Sequence, residues 1–236
     1  MSIYLTGDIH GQIDIAKLYK KNWKEQNELS RSDYLIQLGD LGLLWKKGKT
    51  FDYLMDFYTS RKYTLLWIDG NHCCFDMLKE YPEEFWNGGK IHRIADNIIH
   101  LMRGQVFEID KFKFFTLGGA KSIDKEQRIE GISWWKEEEL NYQEQEEALT
   151  NLDKYHRHVD YILTHAAPKS LLQPMFHYSN IYDSTTERFL DEIYFRTDFK
   201  HWYFGHYHED KDYSKFSCLY NRIVKLNDNF NSLFQV

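Results

Sequence analysis

Five short polar runs in this sequence carry side chains that can hold metal ions. They are Asp8-Ile9-His10, Gly39-Asp40, Gly70-Asn71-His72, His165 and Gly205-His206-Tyr207-His208. Each run supplies a carboxylate, an amide oxygen or an imidazole. Residues two apart on an extended segment point to the same side, so Asp8 and His10 can direct two ligands to one point. The same holds for His206 and His208.

The number and type of these donors suit a centre with two metal ions. The candidate ligands are Asp8, His10, Asp40, Asn71, His165, His206 and His208. They are too many for one tetrahedral ion. Two ions about 3.5–4 Å apart repel each other, so we expect a carboxylate and a hydroxide to bridge them. Nitrogen and oxygen ligands without thiolate suit manganese first, with iron, zinc, cobalt or nickel as alternatives.

Taken alone, each run also has an ordinary structural interpretation. An isolated Asp-x-His is more often a cap or a turn than a ligand pair, and Gly70-Asn71-His72 fits simple left-handed turn chemistry. The combination is more specific, because all five runs follow directly on a short apolar segment. The joint pattern therefore favours a metal site.

The apolar segments are the elements that must position these side chains. We expect buried strands at Ile3–Thr6, Tyr34–Leu38, Thr64–Ile68, Tyr161–Thr164 and His201–Phe204. Apolar residues at helical spacing predict helices over residues 12–23 and 50–58 between the first three strands. Alternating strands and helices imply a parallel sheet with right-handed crossovers. Ligands bind beyond the carboxyl ends of such strands, where the five runs lie.

The remaining segments predict further elements. Short strands are expected at residues 91–94, 98–102, Gln105–Ile109 and Phe112–Leu117, forming a second, partly antiparallel layer with a tight turn at Asp110-Lys111. Residues 135–155 predict a polar helix with a solvated acidic face. Residues 184–196 predict a helix that Ser184 and Glu187 cap.

Composition limits the class of protein and its partners. The chain has 236 residues, a net charge of −6 and three Pro. Without a linker rich in Pro, Gly or Ser, we expect a single domain over residues 1–236. The acidic balance argues against non-specific binding to nucleic acid or to an anionic membrane. No apolar run is long enough to span a membrane, and Cys73, Cys74 and Cys218 predict reduced thiols in a cytoplasmic protein.

The ordered set of motifs from Asp8 to His208 resembles the calcineurin-like metallophosphoesterase superfamily. The resemblance implies a four-layer αββα fold, in which two mixed β-sheets pack face to face as a sandwich with helices outside. It implies one metal held by Asp8, His10, Asp40 and His208, and a second by Asp40, Asn71, His165 and His206, with Asp40 as the bridge. Gly118-Gly119-Ala120, with a downstream Arg and a Trp pair, is similar to bacterial and phage-borne members.

The resemblance also implies a mechanism. A hydroxide that bridges the metals would attack phosphorus in line, and His72 would protonate the leaving oxygen as the general acid. One departure counts against a protein phosphatase, because Gly39-Asp40 is followed by Leu41-Gly42 instead of the Asp-Arg-Gly of those enzymes. The residue that orients His72 is therefore open, with Asp69 as one candidate.

Arg128 is the candidate that grips the substrate phosphate, since a guanidinium binds two phosphoryl oxygens at once. The alternative is a surface ion pair with Asp124 or Glu130. Trp134 and Trp135 either pack on the core or stack on a base or sugar, and the core is favoured. His177 and Tyr178 either line a pocket or cover the core.

The preferred function is hydrolysis of a small phosphoester, in particular a nucleotide-like phosphodiester. The alternatives are a phosphomonoesterase or protein phosphatase, a nuclease, and a binding module that has lost catalysis. The presence of all the ligands and of His72 argues against the binding module. The oligomeric state cannot be inferred from the sequence.

Overall fold

The strands of the molecule form two mixed sheets. A computed structural model describes residues 1–178 and 183–226. The first sheet contains β1 (Ile3–Thr6), β2 (Tyr34–Leu38), β3 (Thr64–Ile68), β4 (Glu83–Trp86), β5 (Gly89–Ala95), β6 (Ile98–Leu101) and β13 (Ile223–Lys225). Its strand order is β13-β1-β2-β3-β6-β5-β4. Strands β1, β2, β3 and β6 are parallel, so their carboxyl ends meet at one edge.

The second sheet has six strands with a parallel centre. It contains β7 (Gln105–Ile109), β8 (Phe112–Leu117), β9 (Tyr161–Thr164), β10 (His201–Phe204), β11 (Lys211–Tyr213) and β12 (Phe216–Cys218). Its order is β11-β12-β10-β9-β8-β7. Strands β8, β9, β10 and β12 run parallel, while β7 and β11 pair antiparallel at the two edges.

Side chains that alternate along each strand build the layers. Leu5 and Ile36 lie in the apolar layer that also contains Phe114 and Leu163 of the second sheet. Tyr4, one position earlier on β1, belongs instead to the apolar cluster on the helix side. Burying such side chains removes apolar area from water at about 25 cal/mol per Å². The alternation therefore holds the sheets against each other and against their helices.

Helices cover both outer faces. The helices are α1 (Lys49–Thr59), α2 (Phe75–Leu78), α3 (Tyr142–Lys154), α4 (Lys169–Phe176) and α5 (Thr185–Arg196). Leu54 and Phe57 of α1 pack in the outer cluster of the first sheet. Leu172 of α4 and Leu190 of α5 pack in that of the second. The expected four-layer αββα sandwich is confirmed. The single domain over 1–236 stays a prediction, since 179–182 and 227–236 lie outside the described residues.

Several local predictions were wrong. The predicted helix at residues 12–23 is one 3-10 turn, Ile15–Leu18, because the chain turns there so that Lys17 can donate to backbone carbonyls of Gly7 and Asp8. The predicted helix at 135–155 begins only at Tyr142, since Asn141 and Glu144 form a capping box there. The middle strands do not share one layer, because β6 pairs parallel to β3 in the first sheet.

Other local predictions were confirmed. The Ser184 side chain accepts a hydrogen bond from the Glu187 N–H at the start of α5. Trp135 is buried in the core, and its Nε1 donates to Asp76. Cys73, Cys74 and Cys218 are buried free thiols. Among the described helices, none is long and apolar enough to cross a membrane.

Candidate metal centre

The carboxyl ends of β1, β2, β3, β9 and β10 meet at one edge of the sandwich and bring the five polar runs together. Asp40 lies at the centre of the cluster. Its Oδ2 is 3.4 Å from Nε2 of His165, 3.6 Å from Nε2 of His10 and 4.0 Å from Nε2 of His72. Asp40 thus lies between imidazoles from several runs, the position that a carboxylate bridging two metal ions would need.

One group of predicted ligands surrounds Asp8. Its Oδ2 is 3.2 Å from Nε2 of His208 and 3.7 Å from Nε2 of His10. Asp8, His10 and His208 offer ligand atoms close enough together to share one cation. His208 is half-exposed, and its ring stacks on Tyr220, so this group lies on the solvent side of the centre.

The second group is deeper. Nε2 of His165 lies 3.1 Å from Oδ1 of Asn71, and the rings of His165 and His206 are 5.0 Å apart. Asp8, Asp40 and His165 also bring ligand atoms together, and all three residues are buried. The structure thus places all seven predicted ligands around one point, although their assignment to two ions stays a prediction.

The backbone of this edge is unusual. His10, Asp40, His206 and His208 have left-handed φ angles of 47°, 54°, 69° and 52°. Non-glycine residues adopt this region at a cost, and such strain concentrates at functional sites. Two glycines are needed for space, because a Cβ on Gly70 would lie 2.1 Å from Oδ1 of Asp40, and one on Gly205 2.4 Å from Oδ1 of Asp8.

The two aspartates are held by one oxygen each. Oδ1 of Asp8 accepts from the N–H of His206 at 2.9 Å, and Oδ1 of Asp40 accepts from the N–H of His72 at 2.7 Å. Oδ2 of Asp8 is buried and makes no hydrogen bond among the described residues, although Nε2 of His208 lies 3.2 Å away. A buried carboxylate oxygen without a donor is costly unless a cation neutralises it. The donor set and this orphaned oxygen fit divalent metal ions.

Neighbouring groups orient the candidate ligands, and most of these groups could not be identified from the sequence. Nδ1 of His10 bonds to Asp14 at 2.8 Å, which turns Nε2 towards the aspartates. Nδ1 of His165 donates to the Leu38 carbonyl at 2.7 Å. Of these orienting groups, only Asp14 could have been predicted, because it lies four residues after His10 in the sequence. Fixing the second imidazole nitrogen in this way is typical of metal-binding histidines.

Asn71 is oriented through a chain of hydrogen bonds. Its Nδ2 donates to Ser122 Oγ at 3.0 Å, and this hydroxyl donates to Oε2 of Glu138 at 2.7 Å. Donation by Nδ2 leaves Oδ1 of Asn71 facing His165, the orientation that a metal ligand needs. Gln37 supports the same edge by donating to the Gly7 carbonyl at 3.1 Å.

The charges of the cluster shift its pKa values in opposite directions. Burial disfavours the charged form of His165, but the charge and hydrogen bond of Asp40, the charge of Asp8 and the Leu38 carbonyl together outweigh burial and raise the His165 pKa to about 9. Burial, together with the charge of His165, lowers the pKa of His206 to about 3. A cationic imidazole must lose its proton before it can bind a metal ion, so ion binding at His165 releases a proton.

His72 lies at the rim, and its neighbours differ from those considered from the sequence. Arg128 Nη1 is 3.0 Å from Nδ1 of His72. Asp69 does not orient this imidazole, because its carboxylate is bound by Arg103 at 2.6 Å and by His100 at 3.2 Å. The suggestion that Asp69 replaces the missing aspartate was therefore wrong.

Arg128 forms the ion pair with Asp124 that was considered as the alternative to phosphate binding, and it also contacts His72. Its Nε and Nη2 donate to Asp124 at 2.7 and 2.9 Å, while Glu130 pairs with Lys136. Arg128 also faces the cavity beside the cluster, so direct contact with substrate stays a prediction.

One family model and two solved structures are similar to this chain. A family model described as calcineurin-like phosphoesterase matches residues 1–210. A Staphylococcus aureus protein described as a 5′-nucleotidase, solved with α-ketoglutarate, is similar at 13% identity and a TM-score of 0.45, over 93% of this chain and 48% of its own. This chain thus spans about half the length of that protein.

A second solved structure is that of phosphopantetheinyl hydrolase from Mycobacterium tuberculosis. It is similar at 12% identity and a TM-score of 0.44, over 98% of this chain and 97% of its own. The comparison with curated protein sequences found no match.

Proposed function

Because this chain belongs to the calcineurin-like phosphoesterase family, we propose that it is a metal-dependent phosphoric ester hydrolase that hydrolyses a small, nucleotide-like phosphodiester at a dinuclear centre. The observation that carries the proposal is the position of Asp40. Its Oδ2 lies within 4 Å of imidazole nitrogens from three different runs. A central carboxylate with ligands on both sides is what two ions require.

In this proposal the ligands divide around Asp40. Asp8, His10 and His208 hold one divalent ion with Asp40, and Asn71, His165 and His206 hold the other with it. Bound divalent ions supply a water acidified towards neutral pH and positive charge for the phosphoryl oxygens. Manganese is the ion we expect first, and a cytoplasmic location agrees with the free thiols of Cys73, Cys74 and Cys218.

His72 is the proposed proton donor. Its Nε2 points towards Asp40 from the rim, while Arg128 occupies the Nδ1 side. The proposed acid is the imidazolium form, whose Nε2 proton would pass to the leaving oxygen and leave a neutral imidazole. A leaving alkoxide needs such a proton, because it is otherwise a poor leaving group.

Charge favours a diester over a monoester. A monoester phosphate is a dianion, whereas a diester carries one negative charge. Arg128 is the cation next to His72, and Asp124 neutralises it through two hydrogen bonds. The site therefore offers less positive charge for a dianion than an unpaired arginine would.

The test compares two esters on protein reconstituted with Mn²⁺. We expect two ions per chain and metal-dependent hydrolysis of bis(p-nitrophenyl) phosphate in preference to p-nitrophenyl phosphate. His72→Gln should lower kcat on a phenyl diester about 10²–10⁴-fold. His158→Gln, which alters an exposed histidine paired with Asp198, is the matched control. Preference for the monoester would favour the phosphomonoesterase, and a chain that binds no metal would contradict the proposal.

A further inference from the structure

His72 lines two separate cavities. The first, which we call the Glu187 cavity, has a volume of about 460 Å³ and is lined by Ile123, Leu172, Tyr178, Glu187 and Tyr207. The second, the Trp45 cavity, has a volume of about 520 Å³ and is lined by Ile13, Trp45, Lys46, Lys49 and Phe51. Each is large enough for an organic group.

Both cavities reach the candidate metal centre. Asp40, Asn71 and His206 border the Glu187 cavity, and His10 borders the Trp45 cavity. A phosphate at the centre therefore has room for a substituent in each cavity. A monoester would fill only one of these spaces, whereas a diester with two arms can fill both.

The Trp45 cavity suits an aromatic ring next to an anion. The indole of Trp45 lies 5.9 Å from the His72 ring and is held edge to face by Trp135 at 5.4 Å. None of the residues that line this cavity is acidic. Lys47 pairs with Glu80, but Lys46 and Lys49 have no carboxylate partner among the described residues. Unpaired lysines beside a ring favour a phosphorylated aromatic group.

The Glu187 cavity has a different chemistry. Tyr207 stacks on Phe176 at 4.8 Å and donates from its hydroxyl to Glu187 at 2.9 Å. This part of the lining is aromatic and apolar with one buried carboxyl group. Two cations also line the cavity, but Lys121 donates to the Asp183 carbonyl and Arg128 is bound by Asp124. This side suits an uncharged or weakly polar ring and disfavours a second phosphate.

We propose that the substrate is a phosphodiester with two unlike arms. One arm carries an aromatic base and a second phosphate and binds in the Trp45 cavity at Lys46 and Lys49. The other arm binds in the Glu187 cavity. This inference rests on the proposed function and narrows it. It names a class of compound, namely a nucleotide esterified through one phosphate and bearing another.

Binding can be measured separately from turnover. The ligands are thymidine 5′-(p-nitrophenyl phosphate) and the same compound with a 3′-phosphate, titrated by calorimetry into protein without added metal. We expect the 3′-phosphate to lower Kd about tenfold, as charge-assisted hydrogen bonds to two lysines imply. The nitrophenyl arm should lower Kd further, relative to thymidine 3′,5′-bisphosphate.

The variants place the effect in one cavity. The double variant Lys46→Gln/Lys49→Gln should lose most of the advantage of the 3′-phosphate. Lys20→Gln/Lys21→Gln removes the same charge from exposed positions outside both cavities and should keep that advantage. Equal Kd values with and without the 3′-phosphate, an advantage that survives in the first double variant, or no gain from the nitrophenyl arm would each overturn the proposal.

Hydrolysis of the same compounds with Mn²⁺ separates this inference from the proposed function. A protein that shows the expected pattern of Kd values but no metal-dependent hydrolysis supports the two-armed ligand and contradicts the phosphodiesterase. A protein that hydrolyses both diesters equally well, with equal Kd values, keeps the phosphodiesterase and overturns the two-armed substrate.

Discussion

Nη1 of Arg128 lies 3.0 Å from Nδ1 of His72, while Nε and Nη2 of the same guanidinium are bound by Asp124. The arginine therefore links a carboxylate to the imidazole at the rim of the candidate centre. In the protein phosphatases that the sequence departs from, an aspartate orients this histidine. Here a cation takes that position, with Nη1 nearest Nδ1 of the imidazole and Nη2 3.5 Å from its Nε2.

Replacing Arg128 should impair His72 more than it impairs binding. We expect Arg128→Gln to lower kcat about 10–100-fold for a phenyl diester, the range found when a residue that orients an active group is lost. A p-nitrophenyl diester should be affected much less, because its leaving group needs little protonation. Steady-state kinetics with both esters checks this.

The chain offers a matched control for Arg128. Arg157 pairs with Asp153 at the same four-residue spacing, far along the chain from His72. Arg157→Gln should leave both rates unchanged. If Arg128→Gln instead raised KM equally for the two esters, Arg128 would be a phosphate-binding residue, as first considered from the sequence.

Asp8 should matter more for metal binding than for folding. Asp8→Asn keeps Oδ1 as the acceptor for the His206 N–H and removes a buried charge whose Oδ2 makes no hydrogen bond among the described residues, so the metal-free variant should lose much less stability than one that breaks a buried ion pair. Its metal content should fall sharply. Urea unfolding in chelator, with elemental analysis of the purified protein, measures both.

Asp69→Asn is the contrasting substitution. Asp69 is equally buried but is paired with Arg103, and its loss leaves that buried guanidinium with the more exposed carboxylate of Glu144 as its remaining ion-pair partner. We expect a loss of about 3–5 kcal/mol in the free energy of unfolding. An Asp8→Asn protein that unfolds as readily as Asp69→Asn would show that Asp8 is a structural residue.

A side chain at Gly205 should weaken metal binding, because it would displace the Asp8 carboxylate. A Cβ there would lie 2.4 Å from Oδ1 of Asp8 and 2.9 Å from the Leu38 carbonyl, so Asp8 must move. We expect Gly205→Ala to weaken Mn²⁺ binding about 10–100-fold. Gly131→Ala is the control, since its Cβ meets nothing within 4 Å, although its φ of +74° adds strain. Unchanged binding in Gly205→Ala, measured by calorimetry, would contradict the assignment.

His201 should make the protein sensitive to acid. The Ser217 hydroxyl donates to Asp212, so Nε2 of His201 is the donor in its 2.9 Å hydrogen bond to Ser217 Oγ. Burial lowers the His201 pKa to about 4. The unfolded chain, with a His pKa near 6.5, binds more protons between these values. Stability from this group is thus complete above about pH 6.5 and is lost as pH falls towards 4.

The size of this effect can be isolated by difference. As pH falls from 6.5 to 4, the free energy of unfolding of the parent should decrease by about 2–3 kcal/mol more than that of His201→Gln. Urea unfolding of both proteins at several pH values measures it, and the common contribution of the other histidines cancels. Parallel pH profiles for the two proteins would show that His201 is not the group that titrates.

The strands that precede the polar runs were predicted better than the helices around them. These five strands have the predicted bounds, because an apolar run that ends in Gly, Asp or His is a local signal. The helix at residues 12–23 was wrong for a tertiary reason, since Lys17 reaches the carbonyls of Gly7 and Asp8. Periodicity does not contain that contact.

Partners distant in sequence were also beyond prediction. Asn71 and Ser122 are 51 residues apart, and Arg128 and His72 are 56 apart. Nothing in the spacing of either pair marks a contact. The ligands could be inferred because their residue types and order are specific, whereas the residues that orient them are ordinary serines, glutamates and arginines.

Each of the two predicted metal sites takes ligands from both sheets. Asp8 and Asp40 follow strands of the first sheet, and His165, His206 and His208 follow strands of the second. Ions bound there would act as cross-links between segments far apart in the chain, and such links stabilise a fold by closing long loops. Chelation should therefore loosen one edge of the sandwich. Backbone amides at the ends of β2 and β9 would then exchange hydrogen faster, while amides in the middle of the sheets stay protected.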